Sequence, residues 1–253
     1  MLFLKLDHPF RKEAMRRLFM PIIRDIQLYV PKNKEQNWTF FHETRCITFL
    51  YSRLLPKLQS KDDKGIQIYC VDNLEQKEQI DMSAHIIFDY FPVFVEVDVE
   101  NILSLTSDRE KKERVLEIVH EGMKLAANKF NWDHYSLELV YENIKQLDYE
   151  NVYPLLKKSS PNRKYICSVL CHHEVASIEV YMEVKKRNGE VINKEKLFSV
   201  GNTDEQDLFS DFGNLEWKQD HKVEFADNDY QHIYRLTFLE KDKPENLIWK
   251  LSR

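Results

Sequence analysis

Glycine is scarce in this chain. There are 5 in 253 residues, Gly65, Gly122, Gly189, Gly201 and Gly213, and no two are close together. A P-loop and a dinucleotide fingerprint both need clustered glycines, so that backbone N–H groups can approach phosphate. Both are excluded. Cysteine is equally thin: Cys46, Cys70, Cys167 and Cys171 form no CxxC pair. They are too sparse for a disulfide framework and read as reduced thiols, which sets the expectation of a cytoplasmic protein. No apolar run approaches the roughly 20 residues that a membrane-spanning helix needs. The opening Met1-Leu2-Phe3-Leu4 run is short and meets Asp7 at once, so no signal peptide is expected. A Lys/Arg surplus is also missing. With 37 bases against 42 acids the net charge is -5, which argues against a general nucleic-acid binder, since phosphate neutralisation needs excess cations.

What is present is core-forming material: 43% apolar residues and 12% aromatics, against a wholesale-disorder reading. Leu2 to Leu6 reads as a strand, and His8-Pro9 opens a helix that Pro21 ends. Residues 22–30 alternate as a strand. Ile47, Leu50, Leu54 and Leu58 keep helical spacing, giving a helix over 38–58. Lys61 to Gly65 is a turn, Ile66 to Val71 a buried strand, and Val93, Val95, Val97 and Val99 alternate with polar partners as another. Ser107 with Glu110 makes a capping box, and Asp133 caps a second helix, so 107–147 reads as an antiparallel helix pair.

The polar stretch Lys157 to Lys164 is the linker candidate. Beyond it the texture is strands, with a hairpin turn at Asn188-Gly189 and a short helix capped by Thr203 and ended by Gly213. The expectation is an α+β chain: a mixed α/β part over 1–156 and a mainly antiparallel β part over 165–253, as two domains or one continuous fold.

Chemistry-bearing residues are few. Cys167, Cys171 and His173 fall on one strand face, but no second ligand pair completes a zinc site. Glu179, Glu183 and Lys185 match part of a nuclease pattern, in which acids hold Mg²⁺ and a lysine aids hydrolysis. The hairpin that follows makes cross-strand ion pairing the plainer reading. His120-Glu121 lacks the second histidine of a zincin helix and reads as an exposed pair. His85 and Asp89 sit four apart in an apolar run, where a satisfied half-buried histidine is the plain reading. No catalytic set, metal site or cofactor is indicated.

Residues 203–230 stand out. Nine acids there meet two lysines, Lys218 and Lys222, and Phe209, Phe212, Trp217, Phe225 and Tyr230 are interleaved. Crowded negative charge favours encounter with a basic partner, and aromatics supply interface anchors. The partner-binding residues expected on this ground are Asp204, Asp207, Asp211, Trp217, Asp227, Asp229 and Tyr230. A solvated face over core rings is the plain alternative, and Asp227-Asn228-Asp229 an incomplete calcium loop.

In general character the chain is similar to stand-alone bacterial immunity proteins, acidic cytoplasmic α/β proteins that neutralise a toxin by covering its site. The likeness lies in that character and in no particular residues. It implies a non-enzymatic protein that covers a basic toxin or enzyme, with no nucleic acid and no membrane involved. A metal-dependent hydrolase, and a subunit of a larger assembly docking through 107–147, are the rival expectations. The oligomeric state is not set by the sequence.

Overall fold

The computed structural model describes residues 22–31, 33–60, 62–80, 89–201, 203–210, 212–227, 231–239 and 248–252. The expected strand over 2–6, the helix opening at His8 and the reading of His85 lie outside them. The fold is α+β, and the chain divides into two compact units, residues 1–149 and 150–253.

The first unit is built on a parallel sheet of three strands in the order β1-β2-β3: β1 (Asp25–Tyr29), β2 (Gly65–Val71) and β3 (Tyr90–Glu96). Parallel strands need a crossover, and α1 (Lys34–Leu54) supplies the one between β1 and β2. Asn33 caps it, accepting from the N–H groups of Glu35 and Gln36. The helix ends at Leu54, ahead of Leu55-Pro56, because the residue before a proline avoids helical backbone. It therefore starts and stops about four residues before the expected 38–58 span.

Central β2 is buried along nearly its whole length, as a strand covered on both faces must be. Pro92 is tolerated in β3 because that strand lies at the sheet edge. The expected strand through Val99 stops at Glu96: Asp98 turns the chain by capping α2 (Val99–Ser104).

α3 (Asp108–Phe130) and α4 (His134–Gln146) are the expected helix pair, capped by Ser107 and Asp133. Asn131, at φ 57°, closes α3 in the left-handed region that asparagine tolerates. Gly122 lets α3 lie directly on β2, since a Cβ there would stand 2.5 Å from Ile68 Cδ1. The core between sheet and helices includes Ile26, Ile47, Leu50, Ile68, Val119 and Met123, each 0% exposed. Each such side chain contributes about 1.5–3 kcal/mol by burial. Leu147 does not join the inner face of α4 as expected. It is the C-cap and stays exposed.

At the amino end of this sheet Arg45 and Asp25 form a buried ion pair of 2.8 Å. Gln27 and the Tyr90 hydroxyl also donate to Asp25, at 2.8 and 2.6 Å, so the carboxylate is fully hydrogen-bonded.

The second unit holds two antiparallel four-stranded meanders. One contains β4 (Asn151–Ser159), β5 (Tyr165–His173), β6 (Ile178–Lys186) and β7 (Val191–Val200), in that order. The other contains β8 (Phe212–Gln219), β9 (Lys222–Asp227), β10 (Ile233–Leu239) and β11 (Ile248–Ser252). A short helix, α5 (Glu205–Ser210), comes between them. The segment read as a linker is not one: Lys157 to Ser159 pair with Ser168 to Ile166 in the β4–β5 hairpin. Gly189 adopts φ 93° in the β6–β7 turn. Gly213 does not end a helix. It lies in β8 against the backbone of Asp227, where no Cβ fits.

Candidate functional site

Parallel sheets present their ligand-binding edge at the carboxyl ends of the strands. Here the ends of β1, β2 and β3 meet in a hollow of about 380 Å³, walled by Val30, Pro31, Gln36, Cys70, Asp72, Asp98 and Glu100 among others. Two helices begin at its rim, but their leading N–H groups are already satisfied. Asn33 takes those of Glu35 and Gln36 at 3.0 and 3.1 Å, and Asp98 takes that of Asn101 at 3.0 Å. With its caps filled and its walls acidic, the hollow suits a cation rather than a phosphate. Burial pushes the Cys70 thiol well above its ordinary range, so it is no thiolate nucleophile.

A second hollow of about 250 Å³ shares Asp98 with the first. Glu96, Asn101, Arg114, Glu117 and Glu121 line it. A third, of about 350 Å³, shares Glu117 and Glu121 with the second and ends between α3 and α4, against His120, Lys124, Leu125, Asn128 and Tyr141. The three hollows are neighbours through these shared lining residues and are together termed the trough. Its walls carry six carboxylates (Asp72, Glu96, Asp98, Glu100, Glu117, Glu121) and two cations, Arg114 and Lys124. Both cations are tied down: Arg114 pairs with Glu117 at 2.6 Å and Lys124 with Glu138 at 3.3 Å.

His120 closes the α3–α4 end. It is not an exposed helix residue: only 8% of it is accessible. Its Nδ1 is 3.0 Å from the Tyr51 hydroxyl of α1, and its Nε2 is 3.2 Å from Glu138 Oε2 of α4. The Tyr141 ring lies 4.5 Å away, tilted over the imidazole. Burial lowers the His120 pKa against the opposing pull of Glu138. Burial and Glu138 together raise that of Tyr51.

The trough escapes a scan for local charge because its acids come from separated positions between 72 and 121. One signal was available. Asp72 follows the last residue of β2 directly, and Asp98 lies two beyond the end of β3.

The C-terminal residues expected to bind a partner are placed differently from one another. Asp211, Asp229 and Tyr230 lie outside the described residues. Asp207 is exposed on α5, Asp204 is half-buried, and the neighbouring Glu205 is buried. Asp220 accepts from the Asn162 N–H at 2.8 Å. Asp227 holds the β9–β10 turn through the N–H and Nδ1 of His232. Glu216 pairs with Lys218, and Glu224 with both Lys222 and Arg235. Phe209 is exposed, whereas the other described rings make contacts within the unit. Phe212 and Phe225 pack at 5.4 Å, Phe212 meets Phe198 of the other sheet at 6.2 Å, and Trp217 donates to the Lys158 carbonyl at 3.1 Å.

Cys167, Cys171 and His173 do share one face of β5, and that face is core, with all three at 0% exposed. Burial pushes the Cys171 thiol up to about 12 and Cys167 further. Glu183 pairs with Lys185 at 2.8 Å, while Glu179 is held by Lys196 and the Tyr181 hydroxyl, each at 2.5 Å. These are same-strand and cross-strand pairs, with Glu183 buried and Glu179, Tyr181 and Lys185 half-buried. Among the described residues no group of three or more His, Cys, Asp or Glu side chains is placed to hold a metal ion, and no helix is long and apolar enough to cross a membrane.

Comparison of the chain with protein-family models, with curated proteins and with solved structures finds no match.

Proposed function

We propose that the protein is a non-enzymatic binding protein that takes a basic protein partner into the acidic trough of its first unit. The reading agrees with the immunity-type character of the sequence, in which a small acidic protein covers a basic toxin or enzyme. The observation that carries it is three neighbouring hollows, linked by shared lining residues, whose carboxylates outnumber their cations by six to two. Concave walls with one sign of charge focus the field, speed encounter with a cation and repel anions. Glu216, Asp220, Glu224 and Asp227 line none of the three hollows and are left out of the site.

The test is capture from the native host at low salt with the wild-type chain and with a Glu100→Gln, Glu117→Gln, Glu121→Gln variant. All three residues are exposed, so the fold tolerates the exchange. The expected result is a basic host protein bound by the wild type and weakened about ten- to hundredfold in the variant. An identified partner bound equally by both, with the same salt dependence, overturns the proposal.

A further inference from the structure

We propose that the second unit carries a basic surface, formed by the β4–β5 and β6–β7 turns, which binds the phosphate backbone of a nucleic-acid duplex without reading its sequence. The surface is independent of the trough, whose lining residues all belong to the first unit. The whole-chain charge of -5 argues against a general nucleic-acid binder, but it averages over one end of the β4–β7 sheet that has the opposite sign.

In a meander every second turn falls at the same end. Residues 160–164 join β4 to β5, residues 187–190 join β6 to β7, and Tyr165 pairs directly with Lys186 between them. With neighbouring strands about 4.8 Å apart, the two turns lie about 10 Å from each other. This end holds Lys157, Lys158, Arg163, Lys164, Lys185, Lys186 and Arg187 against Glu183, Glu190 and Asp220. Lys185 is neutralised by Glu183 and Lys186 by Glu190, each at 2.8 Å. Lys157, Lys158, Arg163, Lys164 and Arg187 are exposed, and none of them pairs with a carboxylate among the described residues. Lys158 donates to the amide oxygen of Asn214 at 3.2 Å and keeps its charge uncompensated. Both turns are pinned from within. The Asn162 side chain accepts from the Ser160 hydroxyl and the Lys164 N–H, at 2.8 and 2.9 Å, and Asn188 accepts from the Glu190 N–H at 3.1 Å. Side-chain-to-backbone bonds of this kind hold a turn in one shape, so the cations stand on a fixed backbone.

Composition decides the class of partner. Protein interfaces are depleted in lysine and are anchored by buried aromatic side chains. Residues 157–164 and 185–190 hold no exposed large apolar side chain. They also present no exposed ring on which an unpaired base would stack. What they do present is cations, with the exposed Ser159, Asn162 and Asn188 between them, which is the chemistry of contacts to backbone phosphate. A duplex supplies one negative charge per about 1.7 Å of its axis. Its major groove is about 12 Å wide, so two turns about 10 Å apart meet phosphates on both flanking strands.

The experiment measures fluorescence anisotropy of a labelled DNA duplex of about two helical turns with the full chain, from about 0.05 to 0.2 M salt. If all five cations meet phosphate, the logarithm of the binding constant falls against that of salt with a slope of about -4 to -5. An Arg163→Asn, Lys164→Gln, Arg187→Gln variant keeps two of the five. Asparagine suits position 163, where φ is 58°. This variant is expected to bind more than about tenfold more weakly at 0.05 M salt, with a slope near about -2. The control, Lys34→Gln, Lys57→Gln, Lys129→Gln, removes the same charge from exposed positions of the first unit and is expected to bind as wild type does. Equal weakening by the control overturns the assigned surface, because net charge alone would then explain the effect. No binding of the duplex, or a wild-type slope near zero, overturns the proposal without recourse to any variant. Tighter binding of a single strand of the same length, of a polyglutamate peptide or of phosphatidylserine vesicles at equal salt overturns the choice of partner.

Discussion

At Gly65 the absence of a methyl group decides a neighbour's position. The Tyr90 ring lies across this residue to reach Asp25, and a Cβ would occupy the space of the ring. Gly65→Ala must therefore displace Tyr90, and with it one of the donors that satisfy a buried carboxylate. The expected cost is about 1–3 kcal/mol, read as a lower urea midpoint with an unchanged slope. His120 gives a second prediction, in pH. Burial holds its folded pKa below the ordinary 6.5. The folded state therefore disfavours the charged form, and this part of the stability is complete above about pH 6.5 and is lost as pH falls below it. Unfolding free energy is expected to drop between neutral and mildly acid pH, and the drop to be smaller in His120→Gln. The burial of His120 was not legible from one apolar stripe. α3 carries two: Val115, Val119 and Ala126 form the first, and Leu116, His120, Met123 and Ala127 the second. A helix covered by a sheet, by α1 and by α4 has little free surface left. A rule that assigns one buried face per helix leaves His120 outside.

Elements were easier to read than side chains, because caps and turns act over a few residues. Ser107 accepts from the Glu110 N–H, and Asp133 from those of Tyr135 and Ser136, where the residue types call for it. Ser107→Ala is expected to cost about 1 kcal/mol, measured by thermal unfolding. Gly189 sits at φ 93° with open space around it. Gly189→Ala therefore meets backbone strain without a clash, and about 1 kcal/mol of destabilisation is expected, on the same assay. Misreadings cluster where an element lies at an edge. Lys157 to Ser159 read as linker because they are polar, yet they are polar because β4 is an edge strand with an exposed end. The C-terminal end of β3 misled in the opposite way. The alternation through Val97 and Val99 is continuous in sequence, but Asp98 caps a helix and divides it.

For the molecule as a whole the instructive quantity is charge, and counting it along the sequence differs from counting it in space. The densest acidic window, 203–230, spends Glu216, Glu224 and Asp227 on Lys218, Lys222, Arg235 and His232, which register brings opposite or alongside. Two of these partners, His232 and Arg235, lie outside that window and entered no count. The trough collects carboxylates that sequence separates, because parallel strands deliver their carboxyl ends to one edge whatever their spacing along the chain. A field of this kind acts on association more than on dissociation. For a basic partner, raising the salt from about 0.01 to 0.15 M shortens the screening length from roughly 30 to 8 Å. The association rate is then expected to fall about tenfold or more. The Glu100→Gln, Glu117→Gln, Glu121→Gln variant should show a slower rate at low salt and a visibly flatter slope. Neutralising Glu216 and Glu224, which line none of the three hollows, should leave both nearly as they were. Stopped-flow measurement across that salt range separates the two surfaces, and a slope that follows Glu216 and Glu224 instead would place the docking face in the second unit.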